Sequence, residues 1–403
     1  MADITLNSYL HQIYSAYEDY NGEKVASLLS IEDPHVLSTK LTGSNFENSV
    51  QDVLHSPLAE MVILHLNVLK KVTEQNMDEA LVYQCQFGQL FCKILQGQKD
   101  ENWMLPIMEK ICHDLRRIAL SAKNVEDSMV RSEDSAPTCL EKAADVIMAM
   151  FRICAADTRA QENDTKRWGM LSLVNQLFKI YFRINRLHLC KPLIRAIEAQ
   201  NLKDRFPLNQ IIVYKYYVGR KAMFDSEFTV AEECLTFAFQ HASSKHSLEN
   251  KRKILTYLVP VKMFLGWMPT KEALEKYDLT EFYEVADALK VGNIRRFNNA
   301  LRKYERKFIV SGVYLILEKL RMILYRNLLK KTCLIYAKTQ IPIAVMQAAM
   351  QWSGYEDIDL DETHCIVANL IFTGQIRGYI SHQHQVLVVA KQNAFPKISL
   401  SES

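Results

Sequence analysis

The sequence predicts an all-α protein, built from stacked helix pairs and ending in a winged helix with a small β-hairpin. Glycine makes up only 12 of the 403 residues and proline 10, which argues against a β-sandwich or a glycine-looped α/β enzyme. Most of the chain shows helical periodicity interrupted by short polar loops. The last hundred residues follow the order helix, helix, helix, hairpin, which is typical of a winged helix.

Three regions are predicted along the chain. A polar stretch at 121–138 separates an N-terminal helical region, 1–120, from a helical-repeat solenoid, 139–310. Residues 311–396 form the predicted winged-helix part of the chain. Other breaks in the helical pattern fall at 157–164, 201–209, 243–251 and 266–270. Their spacing suits antiparallel helix pairs that stack one after another.

One helix pair has the small-residue spacing of tetratricopeptide-type repeats. Gly219 permits close approach of two helices, and Ala231 follows twelve residues later. Ala238 lies seven residues further on, as the repeat pattern requires. Neighbouring helix–loop–helix units at 171–199 and 254–289 extend the pattern, which indicates an α-solenoid.

Three helices are predicted to precede the hairpin. The first carries a leucine stripe at helical spacing, formed by Leu317, Leu320, Leu324 and Leu328. The second begins at Ile341–Pro342, because proline suits a first turn, and ends at Gly354. The third begins after Asp359, with Glu362 at capping-box spacing, and ends at Gly374. One apolar face of this helix contains Thr363, Ile366, Val367, Leu370 and Ile371.

The hairpin is predicted from alternating side chains. Ile376, Gly378 and Ile380 alternate with polar residues, and Val386 and Val388 do so in the following segment. This is the pattern of a half-buried strand pair. We expect the only clear sheet of the chain within 375–391.

The cysteines and the apolar runs limit the cellular setting. Nine cysteines are scattered without a C-x-x-C pair, which favours reduced thiols in the cytosol or nucleus over a disulfide framework. No apolar run reaches the roughly 18 residues of a membrane span. The first residues lack a basic segment, so no signal peptide is expected.

The basic character of the chain is local. The net charge is only +3, yet residues 291–340 hold twelve Lys/Arg and two acids. A short stretch at 356–362 then contains five acids and no base. A basic segment that leads into a winged helix indicates a surface for nucleic acid or for an acidic partner. The alternative is an ordinary solvated helix face.

Candidate nucleic-acid-binding residues follow from helical spacing. Arg326 and Lys330 are four residues apart and share a face, while the wing hairpin adds further cations. The predicted residues are Lys319, Arg321, Arg326, Lys330, Lys331, Lys338, Arg377, His382, His384 and Lys391. Partner-binding residues are predicted at Leu370, Ile371 and Tyr379. Tyr379 and Tyr325 are candidates for base stacking, although Tyr325 equally suits the core.

No catalytic chemistry is expected. The sequence lacks G-x-G-x-x-G, G-x-x-x-x-G-K-[ST], H-E-x-x-H and G-x-S-x-G. His382 and His384 would lie on one strand face, but two histidines alone offer too few ligands for a metal. The sequence therefore predicts no enzyme, no metal and no cofactor.

Several long segments resemble the PCI domain-containing protein 2 family. They are 169–197, 213–228 and 368–393, together with the opening MADITLNSYL and the ENWMLP at 101–106. The stretches 121–138 and 291–307 diverge from the family. The resemblance covers nearly the whole chain and implies a helical-repeat solenoid capped by a winged helix.

The resemblance also implies a function. The family is the PCI subunit of a nuclear complex that couples transcription to mRNA export, acting as a scaffold and RNA-binding platform without enzymatic activity. Implied partners are a large PCI-containing export scaffold, a short acidic protein shared with the proteasome lid, and RNA or single-stranded nucleic acid. The expected location is the nucleus, including the nuclear pore, with some protein in the cytoplasm. The alternative is a pure protein-interaction subunit of a proteasome-lid or signalosome-type assembly, whose basic segment binds an acidic protein.

Overall fold

The computed structural model describes residues 5–33, 41, 46–98, 101–122, 138–158, 163–242 and 248–398. The chain is mostly helical, with one small three-stranded sheet near its C-terminus, so the predicted fold class is confirmed. It divides into two compact units, Met1–Tyr214 and Lys215–Ser403. The predicted boundaries at 121–138 and 310 stay a prediction, and most of the polar stretch 121–138 lies outside the described residues. None of the described helices is long and apolar enough to cross a membrane.

The first unit consists of helices that pack largely in chain order. They are α1 (Leu6–Glu18), α2 (Gly22–Leu28), α3 (Phe46–Val53), α4 (Leu58–Thr73), α5 (Met77–Gly97), α6 (Leu105–Ser121), α7 (Cys139–Ala155), α8 (Met170–Arg183) and α9 (Cys190–Glu198). Short 3-10 turns at Lys166–Gly169 and Leu187–Leu189 precede α8 and α9. Helix α5 packs against α4, α6 and α7. Its fully buried Phe87 and Phe91 lie in the core of this unit.

The second unit continues with helix pairs and ends in the winged helix. Its helices are α10 (Leu208–Phe224, shared with the first unit), α11 (Phe228–His241), α12 (Leu248–Phe264), α13 (Lys271–Lys276), α14 (Glu281–Val291), α15 (Ile294–Lys303), α16 (Glu305–Ser311), α17 (Tyr314–Lys319), α18 (Arg321–Tyr336), α19 (Ile343–Ser353) and α20 (Leu360–Phe372). Helix α18 packs against α14, α19 and α20 and is therefore central to the C-terminal part.

The predicted close approach at Gly219 is confirmed. A Cβ atom added there would lie 2.7 Å from Leu235 Cγ, so any larger residue would push α10 and α11 apart. Leu235, Ala231 and Ala238 are fully buried. Of the predicted breaks, 266–270 is a loop and 201–209 is non-helical up to Pro207. Positions 159–162 and 243–247 lie outside the described residues.

The helices of the winged helix differ from the prediction in two places. The leucine stripe is buried as expected, but the long helix is interrupted at Leu320, between α17 and α18. The next helix begins at Ile343 rather than at Ile341, because Gln340–Pro342 forms strand β1. Gly354 ends α19 in a left-handed conformation, with φ of +113°, as predicted.

The sheet contains three strands rather than the predicted two. Strands β2 (Gly378–Ser381) and β3 (Val386–Val389) form the expected hairpin. Strand β1 pairs antiparallel with β3 on its other side, with Gln340 opposite Val388, which gives the order β1-β3-β2. The expectation that the sheet lies only within 375–391 is therefore wrong. A strand of three residues is too short to show alternating polar and apolar side chains in the sequence. Strand β1 is recognised only from its backbone pairing with β3.

Helix α20 has the predicted ends, with one change in the cap. Asp359 Oδ1 accepts a hydrogen bond from the Glu362 backbone N–H at 2.6 Å. The Glu362 carboxylate does not complete a capping box and instead accepts from the Tyr355 hydroxyl. Gly374 follows the helix with φ of +69°. Thr363, Val367 and Leu370 are buried, so the predicted apolar face is correct.

Candidate nucleic-acid interface

A groove of about 650 Å³ in the second unit is lined by five cations and, among the described residues, by no carboxylate. We call it the basic groove. Its cations are Lys290, Arg326, Lys330, Lys331 and Lys397, and its remaining lining residues are Leu265, Gly266, Trp267, Met268, Asn327, Leu334, Phe395, Pro396 and Ile398. Helix α18, the end of α14, the loop after α12 and the segment after the sheet each contribute one side.

The loop after α12 and the C-terminal segment meet at the groove. Gly266 has φ of +90°, and a Cβ atom there would lie 3.1 Å from Ile398 Cβ. A side chain at this position would therefore be strained by its backbone conformation and crowded by Ile398. Gly266, Trp267 and Ile398 all line the groove, so the two segments form part of its wall together.

Arg326 lies at the floor of the groove and holds the C-terminal segment. Its guanidinium donates hydrogen bonds to the Pro396 carbonyl and, at 3.0 Å, to Asn327 Oδ1. The same group lies 5.9 Å from the centre of the Phe395 ring. Only 6% of the Arg326 residue surface is exposed. Sequence spacing placed Arg326 on one exposed face with Lys330, and the structure shows instead that this side chain is buried.

Among the described residues, no carboxylate lines the groove beside the buried Arg326 guanidinium, and its buried Nε has no hydrogen-bond acceptor. Burial lowers the pKa of the guanidinium because desolvation disfavours the charged form. A buried cation without a counter-charge is unfavourable, so this site would gain from binding an anion.

The lysines of the groove differ in how firmly they are held. Lys331 Nζ donates to the Val291 carbonyl at 2.8 Å, which fixes it at the edge of the groove. Lys290, Lys330 and Lys397 are exposed. Since no carboxylate is among the described residues that line the groove, their charge remains available to a ligand.

The other predicted cations are not brought to the basic groove. Lys319 Nζ donates to Ser226 Oγ at 2.6 Å, and Arg321 pairs with Glu318 at 3.2 Å. Lys338 is exposed and lies 5.7 Å from the Tyr336 ring. On and beside the wing, Arg377, His382, His384 and Lys391 are all exposed. Whether these residues bind nucleic acid stays a prediction.

Much of the basic segment 291–340 is neutralised by acids from distant positions. Arg296 pairs with Asp287 at 3.3 Å, and Lys303 with Glu284 at 2.5 Å. Lys307 pairs with Glu281 at 2.8 Å, and Arg295 with Glu356 at 3.0 Å. Sequence counting found almost no acids at i,i+4 spacing, but helix α14 supplies most of the partners in three dimensions. Among the described residues, the cations of this segment without an ion pair include Arg326, Lys330 and Lys331 on α18 as well as the exposed Arg302 and Arg306.

The predicted partner-binding residues divide by exposure. Leu370 is fully buried, so its prediction as a contact residue is wrong; its side chain belongs to the apolar face of α20. Ile371 is half-buried, and Tyr379 is 62% exposed on the edge strand β2. Tyr325 is buried beside Tyr355, with ring centres 6.4 Å apart, in agreement with the core alternative.

An apolar groove of about 550 Å³ lies on the other side of Lys331. It is lined by Val291, Gly292, Asn293, Leu328, Lys331, Thr332, Ile335, Tyr336, Val345, Ala349, Trp352 and Ser353. Ile335 and Trp352 are 85% and 86% exposed. Two large apolar side chains presented together are typical of a protein-interaction surface.

Comparison with known proteins identifies the family. The PCI domain matches residues 301–391. PCI domain-containing protein 2 of Danio rerio is 50% identical over 400 residues, which cover 99% of each chain. The chain belongs to the PCI domain-containing protein 2 family. The family member of Drosophila melanogaster is 48% identical over 398 residues, covering 98% of this chain and 99% of the relative.

A more distant relative extends the comparison. Protein CSN12 homolog of Schizosaccharomyces pombe is 31% identical over 422 residues, covering 98% of each chain. Membership of the PCI domain-containing protein 2 family fits a scaffold protein that assembles into multi-subunit complexes. The resemblance noted in the sequence is confirmed over the full chain.

Sequence reasoning missed two cations and two aromatic residues of the basic groove. Lys290 and Lys397 lie outside the segment 291–340, and Trp267 and Phe395 lie in loops without a periodic pattern. No local signal joins residues more than a hundred positions apart. Only the packing of the second unit brings them together.

Proposed function

We propose that this protein is a non-enzymatic scaffold subunit of a nuclear complex that couples transcription to mRNA export, and that its second unit binds RNA. The observation that carries the RNA-binding part is the basic groove, where five cations meet without a carboxylate among the described lining residues. Phosphates need cations at intervals along a strand, and this groove supplies them on one continuous surface.

Family membership supports the scaffold part of the proposal. The expected partners are a large PCI-containing export scaffold and a short acidic protein shared with the proteasome lid, in the nucleus and at the nuclear pore with a cytoplasmic fraction. The exposed Trp352 and Ile335 suit a protein contact. Affinity purification of the full chain should recover the large export scaffold. Recovery of proteasome-lid subunits alone would contradict this assignment.

The same apolar groove supports a second candidate function. In this alternative the chain is a protein-interaction subunit only, and its cations hold an acidic protein rather than RNA. Lys331 lies at the border of both grooves, so a partner with an apolar and an acidic part would contact both. RNA binding by the purified chain separates the two functions.

The test uses charge reversal of two exposed groove lysines. Lys290→Glu with Lys330→Glu should weaken binding of a fluorescein-labelled single-stranded RNA about tenfold or more. The slope of log affinity against log salt should fall by about 0.7 for each lost phosphate contact. Fluorescence anisotropy at several salt concentrations measures both quantities. Arg326 is left unchanged because reversing a buried charge would unfold its surroundings.

The matched control reverses two exposed lysines of the first unit. Lys24→Glu with Lys191→Glu changes the net charge by the same amount, and both residues are exposed. RNA affinity should then change less than about twofold at 0.15 M salt, where charges beyond roughly 8 Å are screened. Equal losses in both variants, or retained RNA binding with loss of an acidic peptide, would contradict RNA binding by this groove.

A further inference from the structure

Trp267 lines the basic groove, and most of its side chain is exposed to solvent. It is 73% exposed, and no aromatic ring of the described chain packs against its indole. Tryptophan is a costly residue to leave in water, since its large apolar surface is normally covered. Its position beside five cations therefore calls for a ligand that has both a flat face and negative charge.

The backbone that presents Trp267 is fixed rather than loose. The Trp267 N–H donates to the Lys262 carbonyl at 2.8 Å, and the Gly266 N–H donates to the Met263 carbonyl at 3.0 Å. This hydrogen-bond pattern is that of a helix C-terminus closed by a left-handed glycine. The backbone at Trp267 is thus held by the end of α12, so little backbone ordering is needed when a ligand binds.

Arg326 supplies an independent indication of an anion. The residue is more than nine-tenths buried, and its Nε lacks an acceptor. Its two other nitrogens are engaged by Asn327 and Pro396. Because Arg326 lines the groove, a phosphate bound there would place a negative charge beside this guanidinium.

We propose that the basic groove is a subsite for single-stranded RNA, in which one unpaired base stacks on Trp267 and the adjacent phosphates contact Arg326, Lys330 and Lys397. The proposal rests on the RNA-binding function proposed above and names the form of RNA and the stacking residue. In a single strand, each base is flanked by charged phosphates. The groove offers the matching groups, an indole for the base and cations for the phosphates. An acidic peptide would use the cations but has no need of the indole.

The form of the groove selects against a duplex. A volume of about 650 Å³ is within the roughly 300–1,000 Å³ range of small-molecule pockets and suits one or two nucleotides. A paired base is stacked inside a helix and cannot offer its face to the indole. The groove should therefore prefer an unpaired strand to duplex RNA with the same number of phosphates.

The experiment compares two exposed tryptophans of the same unit. Trp267→Leu should weaken binding of a labelled single-stranded adenosine decamer by the full-length chain about tenfold, as expected for the loss of one base–aromatic stack. Trp352→Leu is the matched control, because Trp352 is 86% exposed and lines the apolar groove instead. It should change affinity less than twofold. Both variants should keep the wild-type circular-dichroism spectrum.

A second measurement reports stacking directly. A decamer with one 2-aminopurine should lose fluorescence when it binds the wild-type chain and the Trp352→Leu variant, and keep more of it with Trp267→Leu. The salt slope of Trp267→Leu should equal that of the wild type, because no phosphate contact is lost. Binding of the corresponding RNA duplex should be unaffected by Trp267→Leu.

The outcomes distinguish the stacking subsite at Trp267 from the RNA-binding function proposed above. If Lys290→Glu with Lys330→Glu weakens RNA binding but Trp267→Leu does not, the stacking subsite is wrong and the RNA-binding function stands. If the wild-type chain binds no RNA at any salt concentration, both are wrong. If Lys290→Glu with Lys330→Glu weakens binding of a polyglutamate peptide and leaves RNA binding unchanged, both proposals are wrong and the groove belongs to an acidic protein partner.

Discussion

The two units of this protein each contain a cluster of charged side chains, and the two clusters are built in opposite ways. In the first unit, Lys110 and Arg117 on α6 both pair with Glu32, so positive and negative charges alternate. We call this group, together with His113 and Asp114, the mixed-charge cluster. In the basic groove of the second unit, cations face one another without a described carboxylate between them.

The difference shows which charges stabilise the fold and which are free for a ligand. Asp114 is 1% exposed, accepts from the Ile31 N–H at 3.1 Å and lies 3.6 Å from Lys110. It therefore joins the chain after α2 to helix α6. The cations of the mixed-charge cluster are satisfied within the protein. In the basic groove, Arg326 and Lys331 donate hydrogen bonds within the protein, but no carboxylate among the described lining residues neutralises the five cations. A bound anion would therefore lower the repulsion between them.

The largest expected effect is on the mixed-charge cluster. Asp114→Ala should lower the free energy of unfolding by about 2 kcal/mol, because it leaves the Ile31 N–H without its acceptor and removes one of the two carboxylates that pair with Lys110. Urea unfolding followed by circular dichroism measures the loss. RNA affinity of the folded protein should stay within twofold. A stable Asp114→Ala protein that fails to bind RNA would reverse the roles given to the two clusters.

Arg326 tests whether a cation of the basic groove contributes to RNA binding rather than to stability. Arg326→Met should weaken single-stranded RNA binding about fivefold while changing the free energy of unfolding by less than about 1 kcal/mol, because an apolar group of similar size replaces an unpaired buried charge. Lys319→Met is the control, since Lys319 contacts Ser226 and does not line the groove. A loss of several kcal/mol in Arg326→Met with unchanged RNA affinity would make Arg326 a purely structural tether.

Removing one carboxylate of α14 tests whether its ion pairs keep cations of the segment 291–340 from binding RNA. Glu284→Gln removes the partner of Lys303, whose hydrogen bond lowers the pKa of the Glu284 carboxyl. The released cation should tighten RNA binding about twofold at low salt, and the gain should vanish at high salt. Glu272→Gln adds the same net charge on exposed α13 and should have no such effect. Equal gains in both variants would indicate net charge rather than local pairing.

The smallest effect concerns Glu109, next to the mixed-charge cluster. Burial raises the pKa of the Glu109 carboxyl above 4.5, although hydrogen bonds from Ser172 and Gln210 act in the opposite direction. The folded state then binds the proton more tightly than the unfolded chain, so this group lowers stability as pH rises through the interval above 4.5. The free energy of unfolding of Glu109→Gln should therefore rise relative to that of the wild type as pH rises. The difference should stay within about 0.5 kcal/mol.

Thermal unfolding between pH 4 and 7 measures this difference. The gain should be absent at the acidic end, where Glu109 is protonated in both states, and constant once the folded-state pKa is passed. A wild-type chain that is more stable than Glu109→Gln at neutral pH would show that the two hydrogen bonds outweigh desolvation.

Local features of the chain were determined by the sequence alone. Helical periodicity, the ends of α19 and α20 at Gly354 and Gly374, and the N-cap at Asp359 all depend on residues within a few positions of one another. The same is true of the β2–β3 hairpin, whose strands are separated by a short turn. Such signals are complete in a short window, because the backbone conformations and hydrogen bonds that they reflect are themselves local.

The functional surface was decided by tertiary structure. Burial of Arg326 depends on Pro396, 70 residues away. Most ion-pair partners of the basic segment come from α14, and only Glu356 of the adjacent acidic stretch is among the described partners. Strand β1 exists because β3 offers it unpaired backbone groups. Helical spacing identifies which cations share a face, but the free energy of a charge depends on everything packed around it. That environment is assembled from four separate segments of the chain, so no short window of sequence contains it.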